Sequence, residues 1–474
     1  MTLFGTAGIR GPVAETVTPS LAMAVGRAVA RDAEGATVVL GYDGRETSET
    51  LAAAMAAGLS AGGAAVRRLG RVPTPTLAYA SRGQRGVMIT ASHNPPADNG
   101  IKLFCDGVEY DRDAERAIET GVETARESAW DRWGTIERAD AMGEYLADVA
   151  AYVGERFEGL RAEEGRPLDG LSIAVDCGTG VGGEATPQVL GRLGADVTAL
   201  NANVDGHFPA RESKPTPETL TDLAAFLEEG TDDLGLAHDG DADRLVVLGP
   251  DGTVVHEDTV LAVVAAHYVE ESTASDPVVV TTPNASARID ERVRAAGGRV
   301  ERVRLGALHE GIARVEEAAS NGTAGSASET AVVFAAEPWK HIHPAFGGWI
   351  DGVVSAAMVA GLVAAAGDVE TLRDPITERP YRKVSVTCPD DRKEAVMAKL
   401  DSDLPERFPE GTVETDYGVR IELPDASWLL VRPSGTEPYV RLYAESDEVE
   451  TLVAVATSVI EAAVEESSDE KPSR

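Results

Sequence analysis

Four short stretches of the chain hold residue types and spacings that could do chemistry. The first runs from Gly86 to Pro95 and reads GVMITASHNP. An apolar strand there delivers Ser92, His93 and Asn94 into a proline-ended loop, and the strand ends of α/β sheets are where ligands bind. A serine beside a histidine suggests a nucleophile and its base. On extended chain, however, adjacent side chains point to opposite sides, so His93 is expected to be poorly placed as the direct base for Ser92. The elbow Gly-x-Ser-x-Gly of α/β-hydrolases is absent. Taken alone, Ser-His-Asn-Pro reads more readily as a capped turn than as a catalytic loop.

The second stretch is Leu234-Gly-Leu-Ala-His-Asp239-Gly-Asp241-Ala-Asp243-Arg244. Carboxylates at alternate positions of extended chain fall on one side, close together. Such charges repel unless a cation neutralises them, and hard oxygen ligands suit Mg²⁺. An EF-hand loop needs glycine at its sixth position and glutamate at its twelfth; here those are Arg244 and Pro250. A solvated acidic turn is the plainer alternative, but the preceding apolar run places the cluster at the end of a buried strand.

The third stretch is Arg432-Pro-Ser434-Gly435-Thr436-Glu-Pro438. Two hydroxyls, a glycine and an arginine on one tight loop could cradle phosphate, or form a plain turn. The fourth, Gly178-Thr-Gly180-Val-Gly-Gly183, follows a strand and satisfies G-x-G-x-x-G, with Asp205 further on. It admits either a dinucleotide site or close strand–helix packing.

The elements around these loops repeat. A β-branched strand, an alanine-rich helix, a glycine stop and a second strand follow Ala36, Leu171 and Pro277 in turn, which is the signature of a mostly parallel sheet. Three copies predict three related α/β domains. The last hundred residues alternate instead, at Tyr381 to Cys388, Gly418 to Leu423, Trp428 to Arg432 and Tyr439 to Tyr443, before an amphipathic helix from Glu448 to Glu465. They read as an α+β domain.

The 474 residues are 43% hydrophobic, enough for several packed cores. No apolar run reaches the roughly 18 residues of a membrane span. Nor does the start resemble a signal peptide. The three cysteines, Cys105, Cys177 and Cys388, form no framework and fit a reducing cytosol. The net charge of −36 repels nucleic acid and anionic membranes, and demands a locally basic site for any phosphorylated substrate. A dispersed acidic surface of this kind resembles that of cytosolic proteins from salt-loving archaea.

In this order the motifs resemble the α-D-phosphohexomutase superfamily, together with Phe4-Gly-Thr-Ala-Gly-Ile-Arg10-Gly11, Gly41-Tyr-Asp-Gly-Arg45 and Pro73-Thr-Pro-Thr76. The resemblance implies four domains around a central cleft, placed here at 1–148, 149–256, 257–372 and 373–474. It implies phosphoryl transfer through phosphorylated Ser92 and a sugar bisphosphate. One Mg²⁺ per subunit would be held by Ser92, Asp239, Asp241 and Asp243, with a hexose 1,6-bisphosphate as activator. Arg10, His93 and Lys102 would serve catalysis. Arg244, Glu337, His341, Arg432, Ser434, Gly435, Thr436 and Arg441 would bind the substrate. The partner is a small sugar phosphate, with no nucleic acid and no membrane, in the cytoplasm; monomer and dimer stay open.

One loop departs from the superfamily pattern Gly-Glu-x-Ser-Gly-His. Here it reads Ala336-Glu337-Pro338-Trp339-Lys340-His341, so the serine contact is lost, and Trp339 could stack on the sugar or pack the loop. Within the superfamily, archaeal phosphoglucosamine mutases are most similar, implying conversion of glucosamine 6-phosphate to glucosamine 1-phosphate. Phosphomannomutase or phosphoglucomutase activity is the close alternative. A nucleotide-binding oxidoreductase and a catalytically silent sugar-phosphate binder are the remoter ones.

Overall fold

A computed structural model of the chain describes residues 3–5, 8–33, 36–160, 166–321, 330–434 and 437–469. Four sheets follow one another along the sequence, and the first three share one plan. In the second sheet, Ser172–Asp176 pairs in parallel with Asp196–Leu200 on one side and Leu234–Ala237 on the other. Val246–Leu248 then returns antiparallel beside Leu234–Ala237. Asp276–Thr281, Arg299–Arg302, Thr330–Glu337 and Lys340–Ile342 occupy the same four places in the third sheet. Thr37–Tyr42, Ala65–Arg71, Arg85–Ile89 and Asp98–Cys105 do so in the first. The spatial order is therefore fourth, third, first, second in each. Two further strands extend the first sheet, Ile9–Pro12 beside Asp98–Cys105 and Ile136–Arg138 beside Ala65–Arg71.

The central strands form because their apolar runs are covered on both faces. Val38 to Leu40, Ile173 to Val175 and Val278 to Val280 are all buried, as expected of parallel strands flanked by helices. The helices Ser48–Gly62, Thr186–Arg192 and Ala287–Ala295 provide the crossovers between first and second strands. The helix Ser48–Gly62 stops where Gly63 takes φ +103°, a left-handed cap whose N–H bonds the carbonyls of Leu59 and Ser60. One continuous apolar core joins the three units, from Tyr79 through Val175 and Val279 to Val354. At its centre lies Gly352–Ala366, buried from Gly352 to Ala364 on every side, which matches a helix apolar all round.

The fourth sheet is antiparallel throughout, in the order Tyr381–Thr387, Tyr439–Glu445, Trp428–Pro433, Val419–Glu422, Thr412–Glu414. The helices Lys393–Arg407 and Val449–Asp469 pack on it through Val396, Leu400, Leu404, Ala456 and Ile460. The first of these helices escapes a reading of the sequence, since its few apolar positions are diluted by charge.

Two expected boundaries need correction. The helix Met142–Arg156 runs through residue 148, and its Tyr145, Val149 and Val153 share a core with Ile173 and Leu190 of the second unit. Residue 372 likewise falls inside the helix Val369–Arg373. Residue 256, by contrast, caps the helix Glu257–Glu271. Among the described residues no helix is long and apolar enough to cross a membrane.

Candidate active site

The common strand order puts three chemically loaded loops in equivalent places, each between a unit's third and fourth strands. Ser92 lies between Arg85–Ile89 and Asp98–Cys105. Asp239, Asp241 and Asp243 lie between Leu234–Ala237 and Val246–Leu248. The turn after Glu337 joins Thr330–Glu337 to Lys340–Ile342.

The first two loops touch. Ser92 Oγ donates to Asp239 Oδ2 at 2.6 Å. Ser92 has φ +51°, so the chain turns there and side-chain alternation fails. As a result His93 Nδ1 comes 3.3 Å from Ser92 Oγ, against the expectation that the two point apart. Which way this contact runs is set by the tautomer of His93. Burial, then the charges of Arg244, Arg10 and Lys340, pushes His93 down to about 2 and keeps the imidazole neutral.

Arg45 holds this loop in its turned conformation. Its Nη1 donates to the carbonyls of Pro95 at 2.6 Å and Asp98 at 3.0 Å. Its Nη2 donates to those of Ser92 at 2.8 Å and Asn94 at 2.7 Å. The carbonyl of Ser92 also accepts from Ser213 Oγ at 2.8 Å, across from the second unit. Asp43 fixes the guanidinium, with Nε at 3.1 Å.

Asp239, Asp241 and Asp243 are fully buried, and one oxygen from each lies within 4.8 Å of the others. The loop curls through Ala242 at φ +60°, so convergence arises from a turn rather than from extended alternation. Thr74 Oγ1 donates to Asp241 Oδ2 at 2.7 Å. Lys102 Nζ donates to Asp243 Oδ2 at 2.8 Å and lies 3.6 Å from Glu109 Oε1. Arg244 Nε stands 3.8 Å from Asp239 Oδ2. Two buried oxygens, Asp241 Oδ1 and Asp243 Oδ1, have no hydrogen-bond partner. Unpartnered carboxylate oxygens in so close a buried cluster fit a hard divalent cation. Burial, then Asp243 and Asp241, pushes the Asp239 carboxyl well above its usual range. Burial alone would lower Lys102, but Asp243, Glu109 and Asp241 outweigh it and raise it, so Lys102 is a fixed cation rather than a base.

The glycine run supports this loop. A Cβ at Gly180 would stand 2.7 Å from the Gly240 carbonyl, and one at Gly183 2.6 Å from that of Ala202. Protein backbone takes the space a pyrophosphate would need, so the packing reading of Gly178 to Gly183 holds and the dinucleotide reading falls.

A cleft of about 920 Å³ opens between the first, third and fourth units, lined among others by Glu109, His309, Arg432, Ser434 and Arg441. Arg432 and Arg441 are direct cross-strand partners. Like charges so placed repel, and an anion between them relieves the repulsion. Arg432 Nη2 donates to Tyr443 Oη at 2.9 Å, and Arg441 pairs with Glu437. Gly435 and Thr436 lie outside the described residues. Arg10 is half-buried, and its charge acts on both His93 and Lys102. Glu109 and His309 carried no motif, so nothing in the sequence marked them.

The altered loop splits its residues. Glu337 Oε2 accepts from the Gly306 N–H at 3.3 Å. Lys340, only 7% exposed, reaches within 3.8 Å of both Asp243 Oδ2 and Glu337 Oε1. Trp339, at φ +67°, packs on the apolar cluster of Leu220 and Leu223 in the second unit, with Lys214 Nζ 6.0 Å from its ring centre. It packs the loop. Strand alternation turns His341 inward, where its Nδ1 meets Ser355 Oγ at 3.1 Å and its ring lies 5.5 Å from Phe334. His341 is therefore a core residue here, a correction to its expected place beside the sugar.

The chain is similar to proteins already known. Models of phosphoglucomutase/phosphomannomutase alpha/beta/alpha domain I, alpha/beta/alpha domain II and C-terminal domain match residues 1–129, 144–252 and 384–462. The chain is 40% identical over 459 residues to a phosphopentomutase of Thermococcus kodakarensis, covering 94% of each. It is 40% identical over 455 residues to a protein of Methanopyrus kandleri named probable phosphoglucosamine mutase, again covering 94% of each. A phosphoglucomutase/phosphomannomutase family protein of Burkholderia thailandensis has the same fold, with a TM-score of 0.83 at 24% identity over 99% of this chain and 98% of that one. So has Aspergillus fumigatus N-acetylphosphoglucosamine mutase, solved with GlcNAc-6P and magnesium, with a TM-score of 0.60 at 16% identity over 98% and 95%. From sequence relationship and fold together, the chain belongs to the phosphoglucomutase/phosphomannomutase family of phosphohexomutases and is a mutase of the isomerase class.

Proposed function

We propose that the protein moves a phosphoryl group between two hydroxyls of one sugar phosphate, through phosphorylated Ser92 and a sugar bisphosphate. The observation that carries this reading is Ser92 Oγ at 2.6 Å from Asp239, inside a buried triad with unpartnered oxygens. In the first half-reaction a free sugar hydroxyl attacks phosphorus, its O–P bond forms, and the Ser92 Oγ–P bond breaks. The hydroxyl proton passes to neutral His93, which delivers it to the departing Ser92 Oγ 3.3 Å away; the incoming phosphate dianion offsets the cations that hold its basicity down. The bisphosphate then turns end for end and returns its other phosphoryl group to Ser92, while His93 takes the Ser92 Oγ proton and gives it to the leaving sugar oxygen.

Asp239, Asp241, Asp243 and a Ser92 phosphate oxygen would hold one Mg²⁺ per subunit, whose charge would offset that building on the transferring group. Arg10, Arg244 and Lys102 would line the same phosphoryl group, and Arg432, Ser434, Gly435, Thr436 and Arg441 the other. A hexose 1,6-bisphosphate would prime the enzyme by phosphorylating Ser92. The setting we propose is a salt-rich cytoplasm.

Relatives named for glucosamine support the expected amino sugar, and the relative named for a pentose supports a pentose phosphate. Phosphorus NMR in high salt, with Mg²⁺ and a trace of hexose 1,6-bisphosphate, should show exchange of a sugar phosphate. Intact mass should place one phosphate on Ser92. Full turnover by a Ser92→Ala variant would overturn the mechanism.

A further inference from the structure

Lys340 brings a buried positive charge to the loop that is to read the sugar. Its Nζ stands 3.8 Å from Glu337 Oε1 and 3.8 Å from Asp243 Oδ2. The charge also acts on Glu109 and His309 from the cleft wall and on His93 from the serine loop. Glu337 therefore already has its counter-charge. Without Lys340, a lone carboxylate there would favour a sugar that itself carries an ammonium.

We propose that Lys340 selects sugar phosphates whose C2 substituent is uncharged and disfavours the 2-amino sugar. The proposal rests on the mutase reading and on the expectation that Glu337 binds the sugar, where its carboxylate would accept from hydroxyls. A hydroxyl can donate to Glu337 beside Lys340, whereas a 2-ammonium group would face the Lys340 ammonium within a few ångströms. Moving to another edge of the ring gives no escape. The sugar must present both ends to Ser92 in turn, which carries C2 to both sides of the site. Like charges this close in a partly dry cleft repel enough to lower turnover by about tenfold or more. On this proposal the preferred substrate is a neutral aldose phosphate, hexose or pentose, in place of the glucosamine phosphate that the names of several relatives favour.

The test compares kcat/KM for glucose, mannose, ribose and glucosamine phosphates in high salt with Mg²⁺. At about pH 6 the wild type should disfavour the amino sugar at least about tenfold against its best neutral substrate. Near about pH 9, where an amine of this kind is uncharged, the ratio should fall toward one. Lys340→Met and Lys340→Gln should erase the discrimination at the lower pH, and Lys340→Arg should keep it. A merely structural lysine would change overall activity without this pH-dependent ratio. Turnover of glucosamine phosphate at about pH 6 equal to or above that of every neutral sugar would overturn the proposal, as would a ratio unmoved by pH. The wild-type profile decides even if the variants fail to fold. If no sugar phosphate turns over and Ser92 takes up no phosphate, the mutase reading itself fails and the proposal falls with it.

Discussion

Arg45 illustrates how much of the site hangs on one side chain. It is 3% exposed, is paired with Asp43, and donates to four carbonyls of the serine loop. Arg45→Met would strand the Asp43 carboxylate in the interior, and urea unfolding should show a loss of about 3–5 kcal/mol. Arg45→Lys keeps the charge but not the planar fork, so stability should fall less than kcat, which should drop about tenfold or more. At this scale the sequence was informative about residue types. Ser92 and the three aspartates were legible because a hydroxyl and clustered carboxylates at strand ends have few bland explanations in combination. The contact of His93 with Ser92 was not, because the positive φ at Ser92 is imposed by carbonyl bonds to Arg45, nearly fifty residues away. Glu109 and His309 stand alone in the sequence and become neighbours of Lys102 and Lys340 only by folding.

Among the elements, the helix Glu257–Glu271 has a testable defect at its start, where the fourth unit docks on the third. Arg288 Nη2 meets Glu445 Oε1 at 2.7 Å there, Trp428 Nε1 donates to Glu445 Oε2 at 2.9 Å, and Arg420 Nη1 donates to the Pro283 carbonyl at 2.6 Å. Burial, then the Glu257 charge, pushes nearby Asp258 from 3.8 up to about 8. The folded protein therefore holds this proton more tightly than the unfolded chain. The resulting stability is complete below pH 3.8 and is lost as pH rises through about 8. Asp258→Asn removes that dependence. Thermal melts should show the variant gaining on the wild type as pH rises from about 4 to about 8. The strand triplets themselves were legible, because β-branched runs ended by glycine stops are local signals. Their shared sheet order and the allegiance of the helix Met142–Arg156 were not. An amphipathic stripe says that a helix packs, not on which neighbour.

For the molecule as a whole, the net charge of −36 is the dominant long-range term. The Debye length is about 10 Å at 0.1 M salt and about 3 Å at 1 M, so self-repulsion persists in dilute buffer and collapses in concentrated salt. Raising KCl from about 0.1 M to above 1 M should raise the Tm well beyond the shift seen for a protein of near-zero charge. A flat Tm across that range would count against a salt-adapted surface. The same acidity explains why the substrate path must carry its own cations. Arg10, Lys102, Arg244, Arg432, Arg441 and Lys340 come from all four units.

By itself the sequence determined the order of the chemical loops, the threefold strand–helix–strand pattern, and an antiparallel end. Those follow from residue type and short-range periodicity, which are local. Only the tertiary structure decided that Ser92 meets Asp239, that the glycine run braces the aspartate loop, and which side of the altered loop turns toward the aspartate cluster. Ser92 meets Asp239 across 147 residues. Positive φ at Trp339, followed by strand alternation, sends the tryptophan onto the second unit and His341 into the core, leaving Lys340 and Glu337 at the site. Such outcomes depend on the packing of distant segments, which no local pattern encodes.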